Sequence, residues 1–495
     1  MGLEIEQTEF SRSDHERFQR KLFDNLTALK RLLNTPDFGR GNGSIGAELE
    51  VYIVDERARP LAANIEIHAA ANDPQLTLEL NRYNLEYNLS PVGLSDSPFT
   101  TIEREILAKL SSLNATAAQF GGRIVPIGIL PSLKRRDFGL AAMTNLKRSH
   151  ALTEMLRKRR EDFFSIRIDG VEPVSVRAED VTFEGANTSL QLHYRVDPQQ
   201  FADTFNAVQF VTPLVLAVSA NSPFFLGRRL WHETRVPLFK QSIDGRNRSR
   251  RALHLPSRVD FGHGWVRHDA YELFAESVHL HRPLLPVCSS DDPLCDIESG
   301  KIPTLYELRL HQGTIWYWNR PIYDHHDAGH LRIEMRAMPA GPTAVDMLAN
   351  CAFHIGLAEG MREQIEELIP AMPFQLLVYN FYRAAQYGLQ AKLLWPALHK
   401  NTLQELPASD IAVSLLNTAQ EGLKSIGIST AETDHYLGII DDRLQRNTNG
   451  ADWQLRQFER YYAKHSRDKA LKRMLQDYIH LADENTPVAR WESKL

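Results

Sequence analysis

The sequence predicts an α+β fold, a largely antiparallel sheet with helices packed on one side, followed by a helical C-terminal region. Two observations predict it. Five short segments between residues 45 and 337 alternate apolar and polar side chains with the two-residue period of a half-buried strand. After Thr343 the signal is almost entirely helical to about residue 483, punctuated at Asn401, Ser429–Thr430 and Asn447–Gly450. Strands and helices mixed along one part of a chain, then helices alone, suit a sheet covered on one face.

The elements follow in order. Residues 11–34 read as an N-terminal helix with a charged outer face. In 45–53, Ile45, Ala47, Leu49, Val51 and Ile53 oppose Gly46, Glu48, Glu50 and Tyr52. In 83–89, Tyr83, Leu85, Tyr87 and Leu89 oppose Asn84, Glu86 and Asn88. Ser97-Pro98 opens a helix with Ile102, Ile106, Leu110 and Leu113 on one stripe. In 189–196, Leu190, Leu192, Tyr194 and Val196 oppose Ser189, Gln191, His193 and Arg195. Asp197-Pro198 is a helix start, with Asp as cap and Pro at the first position. In 306–311, Tyr306, Leu308 and Leu310 oppose Glu307, Arg309 and His311, and in 331–337, Leu331, Ile333, Met335 and Ala337 oppose Arg332, Glu334 and Arg336. The chain thus divides into an N-terminal helix over 1–40, a sheet-bearing region over 41–360 and a helical region over 361–495, which is either a separate domain or a buttress on the same one.

Composition excludes several classes. The 495 residues are 43% hydrophobic and 24% charged, enough for a large core in a soluble chain. A formal net charge of -5 argues against a dedicated nucleic-acid binder, and the basic run Arg246–Arg251 reads by itself as a solvated loop. Three cysteines, Cys288, Cys295 and Cys351, make no disulfide framework and no zinc spacing. The N-terminus lacks an apolar signal-peptide core, and the most apolar stretch, Phe210–Ala220, is too short to span a bilayer. The expected location is the cytoplasm. The final Ser493-Lys494-Leu495 spells a peroxisomal address, a three-residue match that arises easily by chance.

The polar strand faces carry the functional signal. Solvated faces are usually mixed and contain lysine; these contain none. On one sheet, Glu48, Glu50, Glu86 and Glu334 converge. Such a cluster repels itself and takes up protons unless cations neutralise it. Oxygen ligands with one imidazole suit Mg²⁺ or Mn²⁺. Arg332 and Arg336, flanking Glu334, offer guanidinium forks for phosphate oxygens. Metal and arginine together are the apparatus of phosphoryl transfer, yet the chain has neither a P-loop nor a kinase signature set. Any nucleotide is therefore handled on a sheet face. Glu307 and His311 are general-base candidates by their faces alone, and such residues are more often structural. Cys351 reads as packing, and the cluster Trp316, Tyr317 and Trp318 either lines an amine pocket or packs in the core, the commoner use of aromatics.

Several motifs resemble a known family. Gly46-Ala47-Glu48-Leu49-Glu50 is similar to the G-x-E-x-E opening strand of glutamate–cysteine ligases and related carboxylate–amine ligases. Thr188–His193 resembles their T-S-x-Q-x-H strand, and Leu310–Asp324 with Leu331–Asn350 resembles one branch closely. The ordered set runs from about Ser44 to Leu357. The resemblance implies a glutamine-synthetase-like sheet curved into a half-funnel. It also implies ATP-dependent amide formation, in which the γ-carboxylate of glutamate is phosphorylated and the amine of cysteine attacks the acyl phosphate. By the same resemblance Glu48, Glu50 and Glu86 are metal ligands, with Glu79 a companion and His193 and Glu334 completing a second site. Arg336 then contacts the transferring phosphoryl group, which with Glu334 makes the catalytic pair. Arg332 and Gln191 neighbour nucleotide or substrate, and Arg251 in the basic loop meets ATP phosphate. The implied cofactors are ATP and Mg²⁺ or Mn²⁺, and the implied partners are amino acids and ATP, with no nucleic acid and no membrane. Two alternatives stay open: a ligase of this fold with another amine or acid, and a non-catalytic protein that binds nucleotide or amino acid and regulates a partner.

Overall fold

Eight strands form the central sheet of the computed structural model, which describes residues 5–95, 97–396 and 402–494. They are β1 (Ser44–Asp55), β2 (Leu76–Leu78), β3 (Asn84–Asn88), β4 (Val92–Gly93), β5 (Gly122–Val125), β6 (Leu190–Val196), β7 (Asn319–Asp324) and β8 (His330–Met335). Their order is β7-β8-β6-β1-β3-β2, with β4 and β5 also paired to β1. Every pairing is antiparallel, and the sheet curls into a half-barrel. The predicted fold class is therefore the observed one.

Register decides what meets on the sheet face. Glu50 lies across from Glu86, and Glu48 is flanked by Asn88 on β3 and Gln191 on β6. His193 sits between Gly46 on β1 and Glu334 on β8, and Glu334 faces Arg320 on β7. Because side chains alternate along each strand, these residues share one face while Ile45, Leu49, Leu85, Leu190, Leu192 and Ile333 fill the core on the other.

Four of the five predicted strands form. The fifth, 306–311, is a helix, Tyr306–Gln312. Its buried residues, Glu307, Leu308, Leu310, His311 and Gln312, recur at three- and four-residue spacing, the helical period that alternating leucines in so short a run had masked. Glu307 and His311 leave the acidic face with it. Glu307 Oε1 accepts from Ser289 N at 2.8 Å, and His311 Nε2 lies 3.1 Å from Ser277 O; both are buried structural groups.

The N-terminal helix runs Arg12–Leu33 with Ser11 in a capping box, and the helix after Ser97 runs Pro98–Ala118. Asp197 caps a short turn that leads into Phe201–Ser219. By length and composition alone, Pro198–Ser219 is apolar enough to cross a membrane, but its window is 89% buried inside the molecule, as a core helix is. The region after Thr343 is helical except for a hairpin, Lys392–Pro396 with Leu403–Pro407, that the periodicity did not reveal. The predicted break at Asn401 lies outside the described residues, while Ser429 and Asn449 are the N-caps of Thr430–Gln445 and Gly450–Tyr462. Cys351 is buried in the helix Ala344–Arg362. One contiguous apolar core extends from Phe18 through the sheet to Trp491.

Candidate active site

β1 is the backbone of the site. It is sandwiched between β6 and β3, so that Glu48 and Glu50 stand in the middle of the sheet, with His193 and Gln191 on one side and Glu86 on the other. The chain then assembles two sets of ligand atoms. Glu50, Glu79 and Glu86 offer carboxylate oxygens within 4.8 Å of one another, and Glu48, His193 and Glu334 do the same with an imidazole included. Glu79, which follows β2, joins the first set although no alternation pointed to it.

Hydrogen bonds fix these groups. Glu50 Oε2 accepts from Ser189 N at 2.6 Å and Ser189 Oγ at 3.0 Å, and its Oε1 accepts from Gln191 Nε2 at 2.9 Å. Gln191 Oε1 in turn accepts from Arg336 Nη1. Glu86 Oε1 accepts from Asn88 Nδ2 at 3.2 Å and Thr77 Oγ1 at 3.3 Å. Glu334, fully buried, is gripped by two arginines: Arg320 Nη2 at 3.0 Å, with Arg320 Nε on its other oxygen, and Arg336 Nη1 at 3.1 Å. Arg320 is itself aimed by the carbonyls of Gln312 at 3.2 Å and Ile315 at 3.1 Å.

The electrostatics separate the two sets. Burial, reinforced by the charges of Glu48 and Glu50, raises Glu86 to about 7. Burial and the charges of Glu86, Glu50 and Glu184 hold Glu79 well above the usual carboxylate range, and burial raises Glu50 despite Arg336. Burial acts on Glu334 in the same direction, but Arg320 and Arg336 overcome it and hold its carboxyl at about 2. A carboxylate trio that must protonate when alone is one that gains most from a cation.

The donor set fits divalent metal. Glu50, Glu79 and Glu86 supply hard oxygens only. Both ring nitrogens of His193 are buried without a hydrogen bond, and Nε2 faces oxygens of Glu48 at 3.3 Å and Glu334 at 3.7 Å. A buried imidazole left unsatisfied between two carboxylates is the arrangement a cation completes.

The two sets open into adjoining cavities. The larger, of roughly 990 Å³ including its mouth, has Glu48, Glu50, Glu79, Glu86 and Arg336 for a floor and Leu152, Leu156, Ile243 and Trp316 on its wall. The smaller, of roughly 650 Å³, lies on the His193 side and contains Arg309, Asp324 and Arg332. Arg332 shares the face of Glu334 as predicted, and its Nη1 pairs with Asp324 at 3.2 Å. Arg251 is not brought to either cavity. It lies in the short helix Arg248–Ala252 and lines a separate basic depression with Arg160, Arg167 and Arg177. Trp316 borders the larger cavity, whereas Trp318 is core and Tyr317 Oη bonds His263 and His281 at 3.0 and 2.9 Å.

Two cavity residues escaped the sequence reading. Arg320 stands in a strand whose Pro321 broke the alternation. Glu184 lies in the isolated turn Glu184–Ala186, where no periodicity marks it, and burial with the charge of Glu50 raises it to about 8.

Residues 44–477 match the family described as glutamate-cysteine ligase family 2 (GCS2). Curated glutamate–cysteine ligases from two strains of Halobacterium salinarum are each 26% identical to the chain over 204 residues, 39% of this chain and 48% of theirs. The chain thus spans about half the length of the curated relatives it matches. The crystal structure of glutamate–cysteine ligase from Francisella tularensis in complex with AMP covers 92% of both chains with a TM-score of 0.53 at 12% identity, a likeness of fold.

Proposed function

From the premise that the chain belongs to glutamate-cysteine ligase family 2, we propose that it is an ATP-dependent carboxylate–amine ligase joining the γ-carboxyl of glutamate to the amine of cysteine. The observation that carries this reading is the pairing of two metal-competent trios, Glu50–Glu79–Glu86 and Glu48–His193–Glu334, on one sheet face beside Arg336. A carboxylate is a poor electrophile, and phosphorylating its oxygen supplies the leaving group that amide formation needs. Divalent cations held by the two trios would neutralise phosphate charge as it shifts.

The chain's own residues do the rest. Arg336, held between Glu334 and Gln191, presents its guanidinium beside both trios and is the group to stabilise the transferring phosphoryl. Arg320, with Arg336, holds Glu334 ionised, so that the carboxylate is available as a ligand. Gln191 links Arg336 to Glu50 and keeps the two trios in register. On this reading Arg332, which lines the smaller cavity and pairs with Asp324, would meet nucleotide phosphate. Leu152, Leu156 and Ile243 supply the apolar part of the lining and would help exclude water once substrates fill the cavity, which an acyl phosphate requires.

The test is ADP release by purified protein with Mg²⁺, ATP and L-glutamate, with and without each of a panel of amino acids and simple amines. Release stimulated by cysteine, with γ-glutamylcysteine found by mass, is the expected result. Stimulation by another amine keeps the ligase and replaces the acceptor. No turnover with any pair, in folded and metal-loaded protein, overturns the reading.

A further inference from the structure

One carboxylate in the larger cavity belongs to neither trio. Glu184 comes from the turn Glu184–Ala186 and not from the sheet, and it lines the cavity with Glu50, Glu79 and Arg336. Among the described residues its side chain has neither a hydrogen bond nor an ion pair, whereas Glu50, Glu86 and Glu334 are all engaged.

The turn that carries it is tightly positioned. Asn81 Nδ2 donates to Thr182 O and to Tyr83 Oη, each at 2.8 Å. Tyr52 Oη donates to Ala186 O at 2.6 Å, and Asp180 Oδ1 accepts from Thr182 N at 2.9 Å and Thr182 Oγ1 at 2.5 Å. Gly185 packs on Asn81 so closely that a Cβ would come within 2.5 Å of Nδ2. Buried supports of this kind hold a functional group to its geometry, and a carboxylate serving only to meet water has no need of them. The same cavity is lined by the apolar side chains of Leu152 and Leu156 from the helix Lys147–Arg160, with Ile243 and Trp316, and by Arg148 at the start of that helix.

We propose that Glu184 receives the acceptor substrate: the incoming ammonium charge favours its ionised form, and the carboxylate binds that ammonium and takes a proton from it; the acceptor is a primary amine whose uncharged side chain lies against Leu152 and Leu156. This rests on the ligase reading. One ammonium proton passes to a Glu184 oxygen, and the freed nitrogen lone pair forms the C–N bond with the acyl carbon. The C–O bond to phosphate then breaks, the electron pair leaves with the phosphate, and the second nitrogen proton departs with it. A positioned base of this type contributes ~10²-fold or more.

Hydroxylamine separates this role from phosphoryl transfer, because its nitrogen is uncharged at neutral pH and attacks acyl phosphates unaided. Glu184→Gln is expected to lower cysteine ligation ~100-fold and raise the KM for cysteine, while hydroxamate formation from ATP, glutamate and hydroxylamine falls less than ~3-fold. Glu184→Asp should recover part of the loss. Equal loss of both reactions, or cysteine ligation unchanged in Glu184→Gln, overturns the assignment of Glu184 alone. Absence of hydroxamate from the wild type overturns the ligase reading and this inference with it.

Discussion

Glu86 stands directly across the β1–β3 ladder from Glu50, with Glu79 closing the trio, and three buried carboxylates so near one another repel. Its folded value of about 7 lies above the ordinary 4.5, so protonation favours the folded state. The stability it lends is complete below the unfolded value and is lost as pH rises through about 7. Glu86→Gln removes that charge while keeping its shape. In EDTA at pH 8 the variant is expected to be more stable than wild type by on the order of 1–3 kcal/mol, with the gap closing toward pH 5. Mg²⁺ or Mn²⁺ should raise the melting temperature of wild type by more than that of the variant, which keeps only the Glu48–His193–Glu334 trio intact. A variant that melts below wild type at pH 8 in EDTA would show that the trio is not strained. Residues of this kind were legible where alternation exposed them: Glu48, Glu50, Glu86, His193 and Glu334 each fall on the polar face of a predicted strand. Arg320 was not, because Pro321 interrupts its strand, and neither was Glu184, because a single carboxylate in an irregular turn has no period to detect.

At the scale of elements, the helices behind the sheet depend on how closely they can approach. Ala344–Arg362 crosses Leu416–Ser425 with Gly356 against Gly422, where a Cβ on Gly422 would sit 2.0 Å from the Gly356 carbonyl oxygen. Backbone cannot yield as a flexible side chain does, so Gly422→Ala must push the helices apart. The expected cost is about 1–3 kcal/mol, read as a lower melting temperature, with Gly438→Ala as control because nothing lies within 4 Å of that position. Equal melting of the two variants would remove the crossing as a constraint. The sequence showed that both regions are helical but not that glycine sets their separation, since close approach is a pairwise property. The same limit explains 306–311. Six residues fit either period, and only the burial of Glu307 and His311 beside Leu308 and Leu310 decides for helix. The hairpin Lys392–Pro396 with Leu403–Pro407 was missed because it lies among strongly helical neighbours.

At the scale of the whole molecule, the question is whether the helical region after residue 360 is a domain or a part of the catalytic unit. Sequence left both open, because periodicity says which face of a helix is apolar and not what covers it. The buried polar contacts favour one unit. Arg443 Nη2 pairs with Asp346 at 2.9 Å and its Nη1 donates to Asn350 at 2.6 Å, with both charges out of water. Asn449 Nδ2 donates to Ala217 O at 3.1 Å, Gln454 Nε2 to Asn221 Oδ1 at 2.8 Å, and Tyr478 Oη to Pro126 O at 3.0 Å. Asn221 also donates to Ala340 O at 2.8 Å, and Ala340 N to Thr188 O at 3.2 Å, one residue before the Ser189 that holds Glu50. Cutting the chain after Arg362 would strand the Asp346 charge, leave Asn221 without its Gln454 and Tyr478 partners and expose the face of Ala344–Arg362 that meets Gly422. In the full chain, Arg443→Met leaves Asp346 buried without its partner at a cost of about 3–5 kcal/mol, and the apolar face that truncation uncovers weighs at least as heavily against a typical folding free energy. The 1–362 fragment is therefore expected to show no cooperative melting transition, and Arg443→Met in the full chain to lower the melting temperature and sharply reduce the proposed ligase turnover. A soluble fragment with one sharp transition would establish an independent catalytic domain and reduce the helical region to an appendage.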